Sequence, residues 1–242
     1  MVTNIHPTAI VSPDAVIAAS AQIGPFSVIG NARIGANSVV HSHVVISDGV
    51  EIGDGVEIFP GAFVGKEPKG AGATARTPQF DRVVTIGDEC SVGPHAVVYY
   101  DVKIGANTLL GDGASIREGC VIGSKCILSR YVTVNYATSI GDRTKVMDNT
   151  HLTGNMEIGD DVFISTMVGT ANDNLIRAGY GAHITGPKID NFAFVGAGAT
   201  LLPSTHIGEH AIVGSGAVVT KAVEAYTVVA GVPARWVRAI ER

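Results

Sequence analysis

The sequence predicts an all-β fold, a parallel β-helix, and three observations carry that prediction. From Ile86 to Gly169 the chain divides into fourteen consecutive hexads (IGDECS, VGPHAV, VYYDVK, IGANTL and onward), each opening with Ile, Val or Leu and none out of phase. The fifth position of nearly every hexad is small or β-branched, as at Cys90, Ala96, Thr108, Ala114, Cys120 and Thr144. The same period resumes on both sides of the segments that interrupt it. A fixed short period means stacked units, and a six-residue period means short strands wound into a solenoid, where each coil buries its apolar edge against the next.

The elements follow in order. Residues 5–33 read IHPTAI, VSPDAV, IAASAQ, IGPFSV and then IGNAR, one residue short; the phase restarts at Ile34 and runs to VGKEPK. Two segments break the period, residues 66–84 (KEPKGAGATARTPQFDRVV) and 170–188 (TANDNLIRAGYGAHITGPK), both rich in Gly and polar residues. Such insertions become loops on one face of a solenoid, often the binding face. The repeat then resumes from IDNFAF to VTKAVE. The expected organisation is a β-helix over 1–224 with loops at 66–84 and 170–188, and an extension over 225–242. Pro233 suits the first turn of a helix, so the extension is expected to be a short helix capping the open end of the coil.

Eighteen-residue spacing sorts the hexads onto three corners. The set opening at 34, 52, 86, 104, 122, 140, 158 and 207 carries Gly at its second position; these glycines are expected to serve positive-φ turns, making this corner plain scaffold. The sets opening at 98, 116, 134 and 152 (VYYD, IREG, VNYA, LTGN) and at 110, 128 and 146 (LGDG, LSRY, VMDN) are chemically rich. Both long insertions emerge at the first of these polar corners.

Bulk composition narrows the function. The chain has 242 residues, 46% hydrophobic and 16% charged, with a net charge of −5. That balance argues against nucleic acid, whose phosphates call for clustered Lys and Arg. No run of eighteen apolar residues and no signal-like segment is found, so a cytoplasmic protein with no membrane partner is expected. The three cysteines, Cys90, Cys120 and Cys126, form no CxxC pair and occupy the inward fifth position, where unpaired thiols act as small hydrophobes.

Chemistry is expected from two groups of residues. His151, with Asp148 near it in VMDNTH, suits proton transfer, the carboxylate orienting the ring. Asp148 should lie one coil above Arg130, and His95 in the column below Asn149. Asp101, Arg117, Asn135 and Tyr136 make a polar, aromatic ledge suited to a sugar ring or nucleotide base, with Tyr100 and Tyr136 flanking Glu118. The remaining histidines, at 6, 41, 43, 183, 206 and 210, read as surface residues.

These hexads resemble those of the hexapeptide-repeat acyltransferases, whose coil is left-handed. The hand rests on the resemblance, since parallel β crossovers are right-handed as a rule. The opening coils are similar to those of the lipid A UDP-N-acetylglucosamine O-acyltransferases. Aligned with that pattern, Ile116-Arg117-Glu118-Gly119-Cys120-Val121-Ile122-Gly123 puts Glu118 where the family has its catalytic His; a Glu can act as base there if burial raises its pKa. Asn172-Asp173-Asn174 resembles the Asn-Asp element of the amino-sugar N-acyltransferases, and Gly231-Val232-Pro233-Ala234 the family's Gly-X-Pro-Ala ending.

The resemblance implies a homotrimer with active sites between subunits and acyl-coenzyme A, acetyl-coenzyme A first, as donor. Backbone around Gly196, Ala199, Gly214 and Ala217 would hold its pantetheine arm, with Lys221, Arg235 and Arg238 at its phosphates. It implies N-acyl transfer to a nucleotide-linked amino sugar, with Glu118 or the His151–Asp148 pair as base and Asn172 and Asp173 joining the ledge on the substrate. The alternatives are sugar O-acylation or a non-catalytic hexapeptide-repeat scaffold. A zinc carbonic anhydrase of this fold needs three converging ligands, which the spacing of the histidines does not offer; no metal is expected.

Overall fold

The computed structural model describes residues 4–70, 77–173 and 184–241. Over them the chain forms 33 short strands and no helix, wound into a left-handed parallel β-helix of about 11 turns. Three sheets make its sides. Face I begins at Ile10–Val11 and has 11 strands, face II begins at Val16–Ile17 and has 10, and face III begins at Gln22–Ile23 and has 12. Each strand pairs in parallel with its counterpart one coil away, as Ser115↔Thr133 and Thr133↔His151 do on face I.

Hexad chemistry explains the coil. The opening aliphatic points inward and is almost fully buried, Ile86 at 1% and Ile116 at 0% exposed; each such side chain contributes about 1.5–3 kcal/mol by leaving water. The residue before it points out. The fifth position also turns inward, and its polar members form rungs between coils. Thr108 Oγ1 donates to the Gly123 carbonyl at 2.9 Å and accepts from the Cys126 amide at 3.1 Å. Thr144 and Thr150 repeat the arrangement. The thiols of Cys90, Cys120 and Cys126 donate to the carbonyls of Gly105, Asn135 and Gly141 at 3.0–3.1 Å. All three cysteines are buried and free of disulfides, and every interior polar atom named here has a partner, as burial requires.

The corners differ from expectation. Positive φ falls on the fourth residue of the hexads, not the second: Glu89, His95, Asp101, Asn107 and their non-glycine equivalents lie at φ 51–61°. The second-position glycines are needed for proximity instead. A Cβ on Gly87 would sit 2.7 Å from the Ala106 amide nitrogen, and one on Gly141 2.6 Å from the Gly159 carbonyl carbon. Glycine lets successive coils close up at this corner; the left-handed turn is borne two residues later by ordinary side chains.

Every irregularity of the period falls on the corner between faces I and II. One residue is missing between Ile29 and Ile34, the first insertion separates Phe63–Lys66 from Val84–Ile86, and the second separates Gly169–Thr170 from Lys188–Ile189. At the last coil only three residues separate Val219 from Val223, which bridges to Ile207.

The expected C-terminal helix is replaced by strands. Thr227–Ala230 pairs in parallel with Ile212–Val213, and Arg235–Ala239 folds back antiparallel on it. Gly231 at φ 94° and a cis Val232–Pro233 peptide lie in the connection. β-branched and aromatic residues (Thr227, Val228, Val229, Trp236, Val237) favour strand, and the last coil offers unpaired backbone groups that an added strand satisfies and a helix does not. The extension therefore continues face III.

Candidate active site

The corner between faces I and II gathers the candidate residues into a column along the solenoid axis. Arg117 is its centre. Its Nε and Nη2 donate to Glu118 Oε2 and Oε1 at 3.0 and 3.1 Å, and its guanidinium lies between two rings, 5.6 Å from the centroid of Tyr99 and 5.9 Å from that of Tyr136. Glu118 is 2% exposed. A buried carboxylate gripped on both oxygens fixes the guanidinium plane, and Arg117 is the half-exposed partner that faces outward.

Tyr136 is held from above. Its ring covers Gly154, where a Cβ would meet it at 2.6 Å. Asn172 Nδ2 donates to the Tyr136 phenolic oxygen at 3.4 Å and to the Gly154 carbonyl at 3.1 Å, so the second insertion enters the ledge through its first residues. Asp173 is half-buried beside it. Asn174 and His183 lie outside the described residues.

Below, Lys66 Nζ donates to the Tyr99 phenolic oxygen at 2.8 Å and lies 4.1 Å from that ring's centroid. The expectation that Tyr100 flanks Glu118 is corrected: Tyr100 is 4% exposed, donates to the Asp48 carbonyl at 2.9 Å and stacks on Phe80. It anchors the first insertion, and Tyr99 faces the site. The cause is a register shift between Val64 and Lys66, which pairs Lys66 with Tyr99. Asp101 occupies a left-handed turn at φ 61°. Its carboxyl is pushed above the usual range by burial and by the neighbouring Asp81 carboxylate, with Lys103 opposing and Glu118 adding to the rise.

His151 stands one strand away on the outer side of face I. Its Nδ1 lies 2.7 Å from Thr133 Oγ1 in a hydrogen bond, and partial burial draws its pKa below the ordinary histidine value. The expected pairing with Asp148 is not formed. That carboxylate accepts from the Ser129 hydroxyl and from Arg130, whose Nη2 donates at 2.7 Å. Ser129 and then Arg130 hold its pKa below the usual range. Asp148 therefore belongs to the corner between faces III and I and ties it to the coil below. Arg130 lies one coil beneath it as expected, and His95, exposed on that corner against Gly61, stands away from the ledge.

The residues expected to meet coenzyme A divide in two. The amides of Gly196 and Gly214 donate to Val213 and Val229 carbonyls, and those of Ala199 and Ala217 to Gly196 and Gly214 carbonyls. These four N–H groups are hydrogen-bonded inside the coil. Lys221 and Arg235, by contrast, line one groove of about 330 Å³ with Trp236 at the C-terminal end, and Arg238 is exposed on the same terminal strand. Among the described residues no three His, Cys, Asp or Glu converge as metal ligands, and no helix is long and apolar enough to cross a membrane.

Tyr99, Lys66 and Thr133 were not singled out by sequence reasoning. The VYYD hexad offers two tyrosines, and only the bulge decides which faces out. Lys66 reads as the first residue of a loop, and Thr133 as one more β-branched strand residue.

Comparison with known proteins agrees with this architecture. A family model for the bacterial transferase hexapeptide (six repeats) matches residues 101–135 and 186–221, and one for the hexapeptide repeat of succinyl-transferase matches residues 28–66. Among solved structures, the UDP-N-acetylglucosamine acyltransferase of Arabidopsis matches with a TM-score of 0.69 at 24% identity, covering 98% of this chain and 74% of that one. The Francisella novicida enzyme of the same name matches with a TM-score of 0.53 at 26% identity, covering 97% and 70%. The UDP-N-acetylglucosamine O-acyltransferase of Moraxella catarrhalis gives 0.57 at 24%, covering 98% and 74%. No curated protein matches. The matched repeats and the shared coil make the chain similar to the hexapeptide-repeat acyltransferases.

Proposed function

We propose that this protein transfers an acyl group, acetyl first, from coenzyme A to the amine of a nucleotide-linked amino sugar. The observation that carries the reading is His151, held by Thr133 through Nδ1, on the strand that leads into the Tyr136–Asn172 ledge. In the tautomer whose Nδ1–H donates to Thr133, Nε2 carries the lone pair and accepts the proton that the amine sheds as it bonds the thioester carbonyl carbon. The ledge of Asn135, Tyr136 and Asn172, with Asp101, Asp173 and Arg117 beside it, orients the acceptor and supplies proximity. Lys221, Arg235 and Arg238 bind donor phosphates, as basic side chains grouped at one end of the coil suit. The protein works in the cytoplasm as a homotrimer whose subunits close the site between them.

Glu118 is not assigned the base, because both its oxygens are engaged by Arg117. Asp148 is not assigned either, since it is spent on Ser129 and Arg130. O-acylation is the second reading; one of the solved structures named above, that of Moraxella catarrhalis, is an O-acyltransferase. A hydroxyl needs a stronger base than an amine does, and the position that resembles the family histidine holds the engaged Glu118.

The deciding assay is thiol release from acetyl-coenzyme A with UDP- and dTDP-linked amino sugars beside their hydroxyl counterparts. Release with amino sugars alone is the expected result. Release with hydroxyl acceptors alone overturns it in favour of O-acylation. Silence with every acceptor and no calorimetric binding of coenzyme A points to a scaffold.

A further inference from the structure

Eleven strands of face I place one residue each in the outward column from Ile10 to Val218, and among these described positions Gly169 alone has no side chain. It is the registered neighbour of His151 on one side and of Thr200 on the other. Glycine in a strand sacrifices packing and backbone entropy, so it calls for a reason. Neither usual reason applies here. Gly169 is not among the positive-φ residues, and a Cβ built on it meets none of the described residues within 4 Å. The second-position glycines, by contrast, each sit against the backbone or a corner side chain of the next coil.

We propose that Gly169 keeps open a notch beside the His151 imidazole that receives the acyl group of the thioester donor. This rests on the reading of His151 as the base. The notch is one missing side chain wide between strands about 4.8 Å apart, room for a few heavy atoms and not for a sugar ring. The acceptor has its own surface at Tyr136 and Asn172. The floor of the notch is bare backbone, and it lies between the strand positions of His151 and Thr200. In the reaction the amine nitrogen bonds the carbonyl carbon, the carbon–sulfur bond breaks, and the amine proton passes to His151 Nε2 and then to the departing thiolate, releasing amide and free thiol.

The test is Gly169→Ala, with Gly169→Val as the larger variant, each titrated calorimetrically with free coenzyme A, acetyl-coenzyme A and butyryl-coenzyme A. The expected result is unchanged affinity for free coenzyme A and a loss of about tenfold or more for the acyl forms, greater for butyryl and for Val. The unfolding midpoint should hold or rise by about 1–4 °C, as an unstrained Gly→Ala change predicts, with the mass in solution unchanged. Equal affinities for all three ligands in wild type and variant overturn the notch and leave the proposed function standing. An equal loss for all three, or a lower unfolding midpoint, overturns it as a mere distortion. A smaller assembly in the variant overturns it by showing that a second copy of the chain fills the gap. Wild-type protein that binds no acetyl-coenzyme A overturns both this inference and the function it rests on.

Discussion

At the scale of single residues, His151 is the most consequential assignment. Partial desolvation lowers its pKa from 6.5, so the folded protein binds fewer protons at this site than the unfolded chain. Stability from His151 is therefore complete above about pH 6.5 and falls as pH drops through the two pKa values. The acid limb of kcat/KM should titrate below the ordinary histidine value. His151→Gln should cost about 10²–10⁴-fold in kcat and abolish that limb; a pH–rate profile that keeps it would assign the base elsewhere. Glu118 should behave otherwise. Glu118→Gln removes one half of a pair whose other half is partly solvated, for about 1–3 kcal/mol in a denaturant titration. It should raise the acceptor KM by loosening Arg117 while the acid limb stays put, an outcome that a catalytic base could not give. Cys120, its thiol pushed up to about 12 by burial, should resist alkylation in the folded protein, and Cys120→Thr should be tolerated because threonine already fills the equivalent slots at 108 and 144. Rapid modification of the native thiol would contradict that.

At the scale of the hexad, the two kinds of corner position separate cleanly. Gly87→Ala forces a Cβ to 2.7 Å from a backbone nitrogen of the next coil and should cost about 1–3 kcal/mol by overpacking. Ala137, at φ 51°, is the reverse case: Ala137→Gly should be neutral or stabilising by up to about 1 kcal/mol, since it releases left-handed strain. Thermal unfolding of the two variants side by side checks both, and equal losses would refute the division. The period made the strands, the inward slots and the loop-bearing corner legible from sequence, because Ile, Val, Cys and Thr at fixed spacing have one way to be buried. The function of glycine was not legible: close approach and positive φ both select it, and only the spacing between coils tells them apart. The tail misled for a related reason. Pro233 is compatible with a helix start and with a tight connection, and the choice was made by unpaired backbone on the last coil. At the site, Asn135, Tyr136 and Arg117 were readable as a polar wall, whereas Tyr99 depended on a bulge and the Asp148–Ser129–Arg130 cluster on contacts one coil down.

For the whole molecule, the terminal strands Thr227–Ala230 and Arg235–Ala239 close face III, and Val229 in the first of them is buried. Removing residues 225–242 should lower the unfolding midpoint by several degrees and promote association through the exposed edge, visible as growth in scattering mass. The intact protein should elute with about three times its 24.9 kDa chain mass; a monomeric mass would leave the site without its proposed second wall. The coil also gives the molecule a graduated axis. Each eighteen residues advance the chain by one strand spacing, about 4.8 Å, and all departures from that count are confined to one corner. Height along the axis is thus written in residue number, like marks on a ruler, and the two insertions are fixed to particular marks: Lys66 below Tyr99, Asn172 above Tyr136. Splicing one extra coil between Ile104 and Ile122 would lengthen the scale by a single division, part Arg117 from one of the two rings it lies between, and carry the first loop one division further from the second.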